Sequence, residues 1–161
     1  LHRRVEELGK IITRDYVGKD LLLVGVLKGC FLFMSDLCRC IDLSLECDFL
    51  GLSSYGMRTE TSGVVRITSD LSRPVQGKDI LVVEDIVDTG LTMDFLMKNL
   101  ATKKPRSVKV CTLLEKPDNM RIKVPLDYVG FSIENRFVVG YGLDYAEKYR
   151  NLPYIGVMKK V

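Results

Sequence analysis

Residues 80–92 constrain this chain more than any other stretch. Ile80, Leu81, Val82 and Val83 run apolar without alternation, the pattern of a strand buried on both faces of a sheet. Two acids, Glu84 and Asp85, stand where that run ends, and a third, Asp88, follows three residues on. A short loop, Asp88-Thr89-Gly90-Leu91-Thr92, comes next. Behind it a helix is expected, with the apolar stripe Met93, Leu96, Met97, Leu100 and Ala101 at spacings of three and four. A strand, a small-residue turn and a helix build an anion site, because N–H groups of the turn and of the helix N-terminus aim at one point. Carboxylates beside such a site repel its ligand unless a cation stands between them. Magnesium suits that position, since it takes one or two carboxylates together with substrate oxygens. Taken singly, acids at a strand end only solvate a sheet edge and a Thr-Gly pair only caps a helix; here they occur together. A nucleoside-triphosphate loop is excluded, because no Gly-Lys-Ser or Gly-Lys-Thr follows a glycine-rich run.

The rest of the chain repeats this alternation. Residues 4–16 read as an amphipathic helix with Val5, Leu8, Ile11 and Ile12 inward, closed by Gly18. Residues 21–27 form a second apolar run, ending in Lys28-Gly29, with a helix expected over 31–41. Further strands are expected over 45–50, 64–68, 107–114, 127–131 and 154–158. Between the first two of these lies a long connection rich in Ser, Thr and Gly, from Leu52 to Gly63, the kind of segment that serves as a lid. Alternating strands and helices argue for an α/β fold with a mainly parallel sheet. The 161 residues suit one domain, 1–161, around one core. Leu1 is not a start methionine, so residues preceding it are expected to be missing.

Composition narrows the chemistry. The net charge of +3 is too small to argue for nucleic acid or an anionic membrane, and no apolar run is long enough to span a bilayer. Lys103, Lys104 and Arg106 read as a solvated turn. With one histidine, His2, near the end of the chain, acid–base work falls to carboxylates, Lys or Tyr. The five cysteines are odd in number and lack a Cys-x-x-Cys; Cys47 and Cys111, inside apolar stretches, read as buried, reduced thiols of a cytoplasmic protein.

The stretch Val82 to Thr92 resembles the phosphoribosyl pyrophosphate (PRPP) motif of type I phosphoribosyltransferases. Leu27-Lys28-Gly29, Ser54-Tyr55-Gly56, and Lys116 with Phe137 to Asp144 and Arg150 extend the resemblance along nearly the whole chain. They point to the bacterial-type branch that acts on 6-oxopurines. The resemblance implies the type I phosphoribosyltransferase fold, a twisted, mainly parallel sheet flanked by helices with a small hood. It implies magnesium-dependent conversion of hypoxanthine or guanine plus PRPP to the nucleoside monophosphate and pyrophosphate.

The same resemblance implies roles. Glu84 and Asp85 would hold the ribose hydroxyls, directly or through magnesium. Asp88 would be the general base. The segment through Ile86, Val87, Asp88, Thr89, Gly90, Leu91 and Thr92 would wrap the 5′-phosphate. Some members carry Lys where this chain has Leu91. Lys28, Gly29 and Arg150 would bind pyrophosphate, across a cis peptide between Leu27 and Lys28, and Asp144 would reach a second magnesium. Ser54 and Tyr55 would close a lid. Phe137 would stack on the base, Lys116 would donate to its 6-oxo group, and the carbonyls of Val138 and Asp144 would read the amine of guanine. A homodimer or homotetramer is expected, with no nucleic-acid or membrane partner. A transferase of another base, or a nucleic-acid-binding regulator on the same fold, are the rival readings; the second needs a basic face that the chain does not display.

Overall fold

The structure, a computed structural model, describes residues 1–54 and 65–159. In chain order it contains α1 (His2–Asp15), β1 (Leu21–Leu27), α2 (Phe31–Arg39), β2 (Glu46–Ser54), β3 (Val65–Ser69), β4 (Asp79–Val87), α3 (Leu91–Thr102) and β5 (Ser107–Glu115). A 3-10 turn (Pro117–Asn119), β6 (Tyr128–Ser132), β7 (Val138–Val139) and β8 (Gly156–Val157) follow. The first six strands form one sheet in the order β3-β2-β1-β4-β5-β6. All neighbours pair in parallel except β3, which runs antiparallel at the edge.

The two apolar runs are the central strands, and their lack of alternation has a direct cause. Successive side chains on a strand point to opposite faces. Leu21, Leu23, Leu81 and Val83 enter one core with Val5, Leu8 and Ile12 of α1 and Phe33 and Leu37 of α2. Leu22, Val24, Ile80 and Val82 enter the other with Met93, Leu96 and Leu100 of α3. Each such aliphatic side chain contributes about 1.5–3 kcal/mol on burial. That surplus lets the centre of the sheet carry polar groups that are costly to bury.

Two boundaries differ from the sequence reading in ways that matter for function. β4 does not end at the acids: it runs on through Glu84 and Asp85 to Val87, because β5 keeps pairing with it as far as Val87 and Glu115. The loop is correspondingly shorter. Helix α3 starts at Leu91, which leaves only Asp88, Thr89 and Gly90 in the turn. At its far end Ala101 is exposed. Elsewhere, β2 continues four residues beyond its expected end, and the expected last strand shrinks to β8. Cys47 is exposed, contrary to expectation, while Cys30 and Cys111 are buried. The reason is the period of the strand: Cys47 points to the same sheet face as Phe49, which is also exposed, whereas Leu50 and Leu52 point to the opposite face and its core.

β7 and β8 pair antiparallel as a separate small sheet. Val138 and Ile155 from these segments, with Tyr141 and Leu143, pack against the α1–α2 side of the core, and the Tyr141 hydroxyl donates to Asp36. This is the small hood. No helix among the described residues is long and apolar enough to cross a membrane.

Candidate active site

The site begins where two central strands part. β1 and β4 are paired from Leu21–Asp79 to Gly25–Val83 and no further. Residues 84–87 are therefore held by β5 on one side and pair with no strand on the other among the described residues. A crevice opens there, at the carboxyl ends of parallel strands where the chain order reverses, the usual ligand position in open α/β sheets. The Lys28-Gly29 loop occupies its far wall, and the peptide between Leu27 and Lys28 is cis, as the resemblance implies. A Cβ at position 29 would lie 1.7 Å from an Asp85 carboxylate oxygen, so any larger residue there forces that carboxylate to move.

Glu84 and Asp85 are 9% and 8% exposed. Asp85 accepts a hydrogen bond from the Ile86 N–H at 3.0 Å, whereas Glu84 Oε2 has no partner among the described residues. Burial, and then the neighbouring Asp85, push the Glu84 carboxyl well above the ordinary range. Burial also raises Asp85, against the opposing pull of its hydrogen bonds and of the Arg150 guanidinium. A buried acid pair with an orphaned oxygen fits a cation. Among the described residues no three His, Cys, Asp or Glu side chains gather into a metal cage. The donor set suits magnesium, which completes its shell from ligand oxygens and water.

This acid pair costs stability in the absence of ligand. A carboxyl raised on folding binds more protons in the native state, so stability falls as pH climbs from its unfolded pKa to its folded one. Glu84→Gln removes that cost. In urea unfolding at neutral pH without metal, the variant is expected to gain roughly 1–2 kcal/mol, and to lose the gain below the ordinary carboxylate range. Coincident unfolding curves at neutral pH would refute it.

A cavity of about 150 Å³ joins the acid pair to the turn; its lining includes Glu84, Asp85, Asp88, Thr89, Gly90 and Thr92. Ile86 and Val87 contribute to it and Leu91 does not. Gly90 holds a left-handed φ of 81° at the start of α3, and a Cβ there would also lie 2.1 Å from the Ile122 carbonyl oxygen. The first turn of α3 has no side-chain cap bond, which leaves its N–H groups available to an anion. A second depression of about 210 Å³, between Glu46 and Lys78, lies at the opposite end of the strands. Its Lys78 is already paired with Glu46 and Asp20.

Asp88 is gripped from the segment after β5. Lys116, only 6% exposed, places its ammonium 3.0 Å from Asp88 Oδ2. The Asn119 side-chain amide donates to Asp88 Oδ1. Backbone bonds join the same segments: Lys116 N donates to Val87 O at 3.0 Å, and Arg121 N and Ile122 N donate to Thr89 O at 2.9 and 3.1 Å.

The remaining expected residues gather on the hood side. Lys28 Nζ lies 2.9 Å from Glu147, both about two-thirds exposed. Arg150 lies 2.9 Å from Asp144 Oδ1 and 3.5 Å from Glu147, and donates to the Gly142 carbonyl at 2.8 Å. Asp144 Oδ2 also accepts the Glu147 N–H at 2.8 Å. Phe137, 53% exposed, meets Tyr145 edge-on with ring centroids 5.7 Å apart. Val138 begins β7 beside it. Ser54 is the last residue of β2, and Tyr55 with the expected lid lies outside the described residues. Sequence reasoning missed Glu147 and Asn119. Each stands three residues from a predicted site residue, Asp144 and Lys116, and that spacing is the signal that would have found them.

The chain belongs to the phosphoribosyl transferase domain family, whose model matches residues 1–146. Within that family its similarity is to hypoxanthine-guanine phosphoribosyltransferases. It is 52% identical over 164 residues to the one from Mycobacterium tuberculosis, across 98% of this chain and 81% of that protein. It is 50% identical over 159 residues to the one from Bacillus subtilis, across 99% of this chain and 88% of that protein. Among solved structures, a hypoxanthine phosphoribosyltransferase from Staphylococcus aureus superimposes with a TM-score of 0.94 at 47% identity, covering 98% of this chain and 86% of that one.

Proposed function

We propose that this chain transfers the phosphoribosyl group of PRPP to hypoxanthine and guanine, giving IMP and GMP and releasing pyrophosphate. The observation that carries the reading is that the cavity lined by the acid pair and the Thr-Gly turn ends on Asp88, whose outer face is held by the buried Lys116. A sugar-phosphate site and a cation able to read a base thus meet at one carboxylate.

The chemistry breaks the bond from the anomeric carbon to pyrophosphate and forms one to a purine nitrogen. Positive charge grows on the ribose while negative charge leaves. Glu84 and Asp85 bind the ribose hydroxyls beneath that carbon. The turn from Asp88 to Thr92 anchors the 5′-phosphate through N–H groups and the Thr89 and Thr92 hydroxyls. Lys28, Gly29 and Arg150 receive pyrophosphate. The Lys28–Glu147 pair now seen there is exposed and contributes little, so it yields to a more highly charged ligand. Glu84 and Asp85 would hold one magnesium with PRPP and Asp144 would reach a second, and the charge of these ions would favour the leaving pyrophosphate. Lys116 moves from Asp88 to the 6-oxo group of the incoming base, which stacks on Phe137, and the carbonyls of Val138 and Asp144 read the amine of guanine. Asp88 Oδ2, so freed, accepts the imidazole-ring proton of the purine. Ser54 and Tyr55 begin the lid that excludes water. A cytoplasmic homodimer or homotetramer completes the reading.

A base panel tests it. With PRPP and magnesium, hypoxanthine and guanine are expected to give nucleotide, and adenine and pyrimidines only traces. No product from either 6-oxopurine, or faster turnover of adenine, would overturn the assignment.

A further inference from the structure

We infer that Asn119 is a positioning residue, its side-chain amide holding one oxygen of Asp88 so that the other faces the base. The inference rests on the reaction proposed above and adds a residue to it. Asp88 has two oxygens and two donors, one on each: Lys116 on Oδ2 and Asn119 on Oδ1. The two donors cannot have the same fate. The ammonium is needed at the 6-oxo group when a base arrives, and it leaves Oδ2 open to the ring proton. The amide has no competing task. It remains on Oδ1 and keeps the carboxylate plane from rotating.

The local fold is suited to this. Pro117–Asn119 is a single 3-10 turn, in which residues three apart project together, and Asn119 N donates to Lys116 O at 3.1 Å. Asn119 and Lys116 therefore reach Asp88 from one rigid turn, itself tied by backbone bonds to Val87 and Thr89. The chemistry of the donor matters too. A neutral amide orients a carboxylate through its hydrogen bond without cancelling its charge. The charged groups around Asp88 are Lys116, from the segment after β5, and Glu84 and Asp85, which line the same cavity from β4.

Two variants separate positioning from packing. Asn119→Ala removes the donor. Asn119→Asp keeps the shape, cannot donate when ionised, and adds a like charge. With PRPP, magnesium and hypoxanthine, Asn119→Ala is expected to lose about tenfold in kcat, with the KM for PRPP within about twofold. Asn119→Asp should lose more kcat than Asn119→Ala, because its carboxylate repels Asp88 instead of holding it. Melting temperatures close to the parent's would show that folding is not the cause. A kcat unchanged in Asn119→Ala, Asn119→Asp as active as the parent, or a loss confined to the KM for PRPP would each overturn the inference. A parent protein that forms no nucleotide would instead overturn the reaction on which it stands.

Discussion

Asp88→Asn is expected to lose between about a hundred- and ten-thousand-fold in turnover, the usual contribution of a positioned general base, while still binding PRPP. The substitution preserves shape. The backbone N–H groups of the turn do not change, and neither do the Thr89 and Thr92 hydroxyls or the bonds from Arg121 and Ile122 that fix Thr89. What disappears is the charged acceptor for the ring proton. Lys116, 6% exposed, also loses its counter-charge, so the ligand-free variant should be less stable than the parent; unpaired buried charge is costly. PRPP affinity measured by calorimetry, set beside kcat, separates the two effects. Retention of more than half of the parent's turnover would remove Asp88 from the role.

Lys116→Ala is expected to collapse discrimination between hypoxanthine and adenine. The 6-oxo group of hypoxanthine is an acceptor, and the amine of adenine at that position is a donor. An ammonium carries donors only, so adenine sets donor against donor in a site where Lys116 has little access to water. Sites built around one such hydrogen bond reject the wrong partner by about ten-thousand-fold or more. Removing Lys116 should therefore cut kcat/KM for hypoxanthine steeply and leave adenine almost unchanged. Lys116→Met, which retains most of the apolar stem, should do the same and would exclude a cavity in the packing as the cause. An unchanged hypoxanthine-to-adenine ratio in both variants would show that Lys116 does not read the base.

Much of this was legible before any coordinates. The runs 21–27 and 80–83 could be read as doubly buried strands because both sheet faces are covered by helices, and parallel strands in that position have no polar face to display. The turn ahead of α3 could be read from residue types alone. The extension of β4 through Glu84 and Asp85 could not, because pattern reading treats paired acids as the end of a buried strand, and here pairing with β5 carries the strand through them. The grip of Lys116 and Asn119 on Asp88 was illegible for a different reason. It joins residues 28 and 31 positions apart in the chain, and only the β4–β5 pairing, Val87 against Glu115, brings them face to face. Exposure of Cys47 follows from the face it shares with the exposed Phe49, a property of what covers that face and not of the residue.

The seam between residues 116–122 and 87–89 has a consequence for how such a protein can be altered. Three of its joining bonds, from Lys116 N, Arg121 N and Ile122 N, are made by backbone atoms. They are indifferent to which side chains stand between Lys116 and Arg121, but they depend on how many residues stand there. Substitutions at the exposed Pro117 or Asp118 are expected to leave the seam closed, whereas inserting or deleting one residue should unhook the turn proposed to carry the phosphate ligands. A segment grafted from a relative with a different base preference must therefore match this one residue for residue in length, and a graft of another length would change sugar-phosphate binding together with the base.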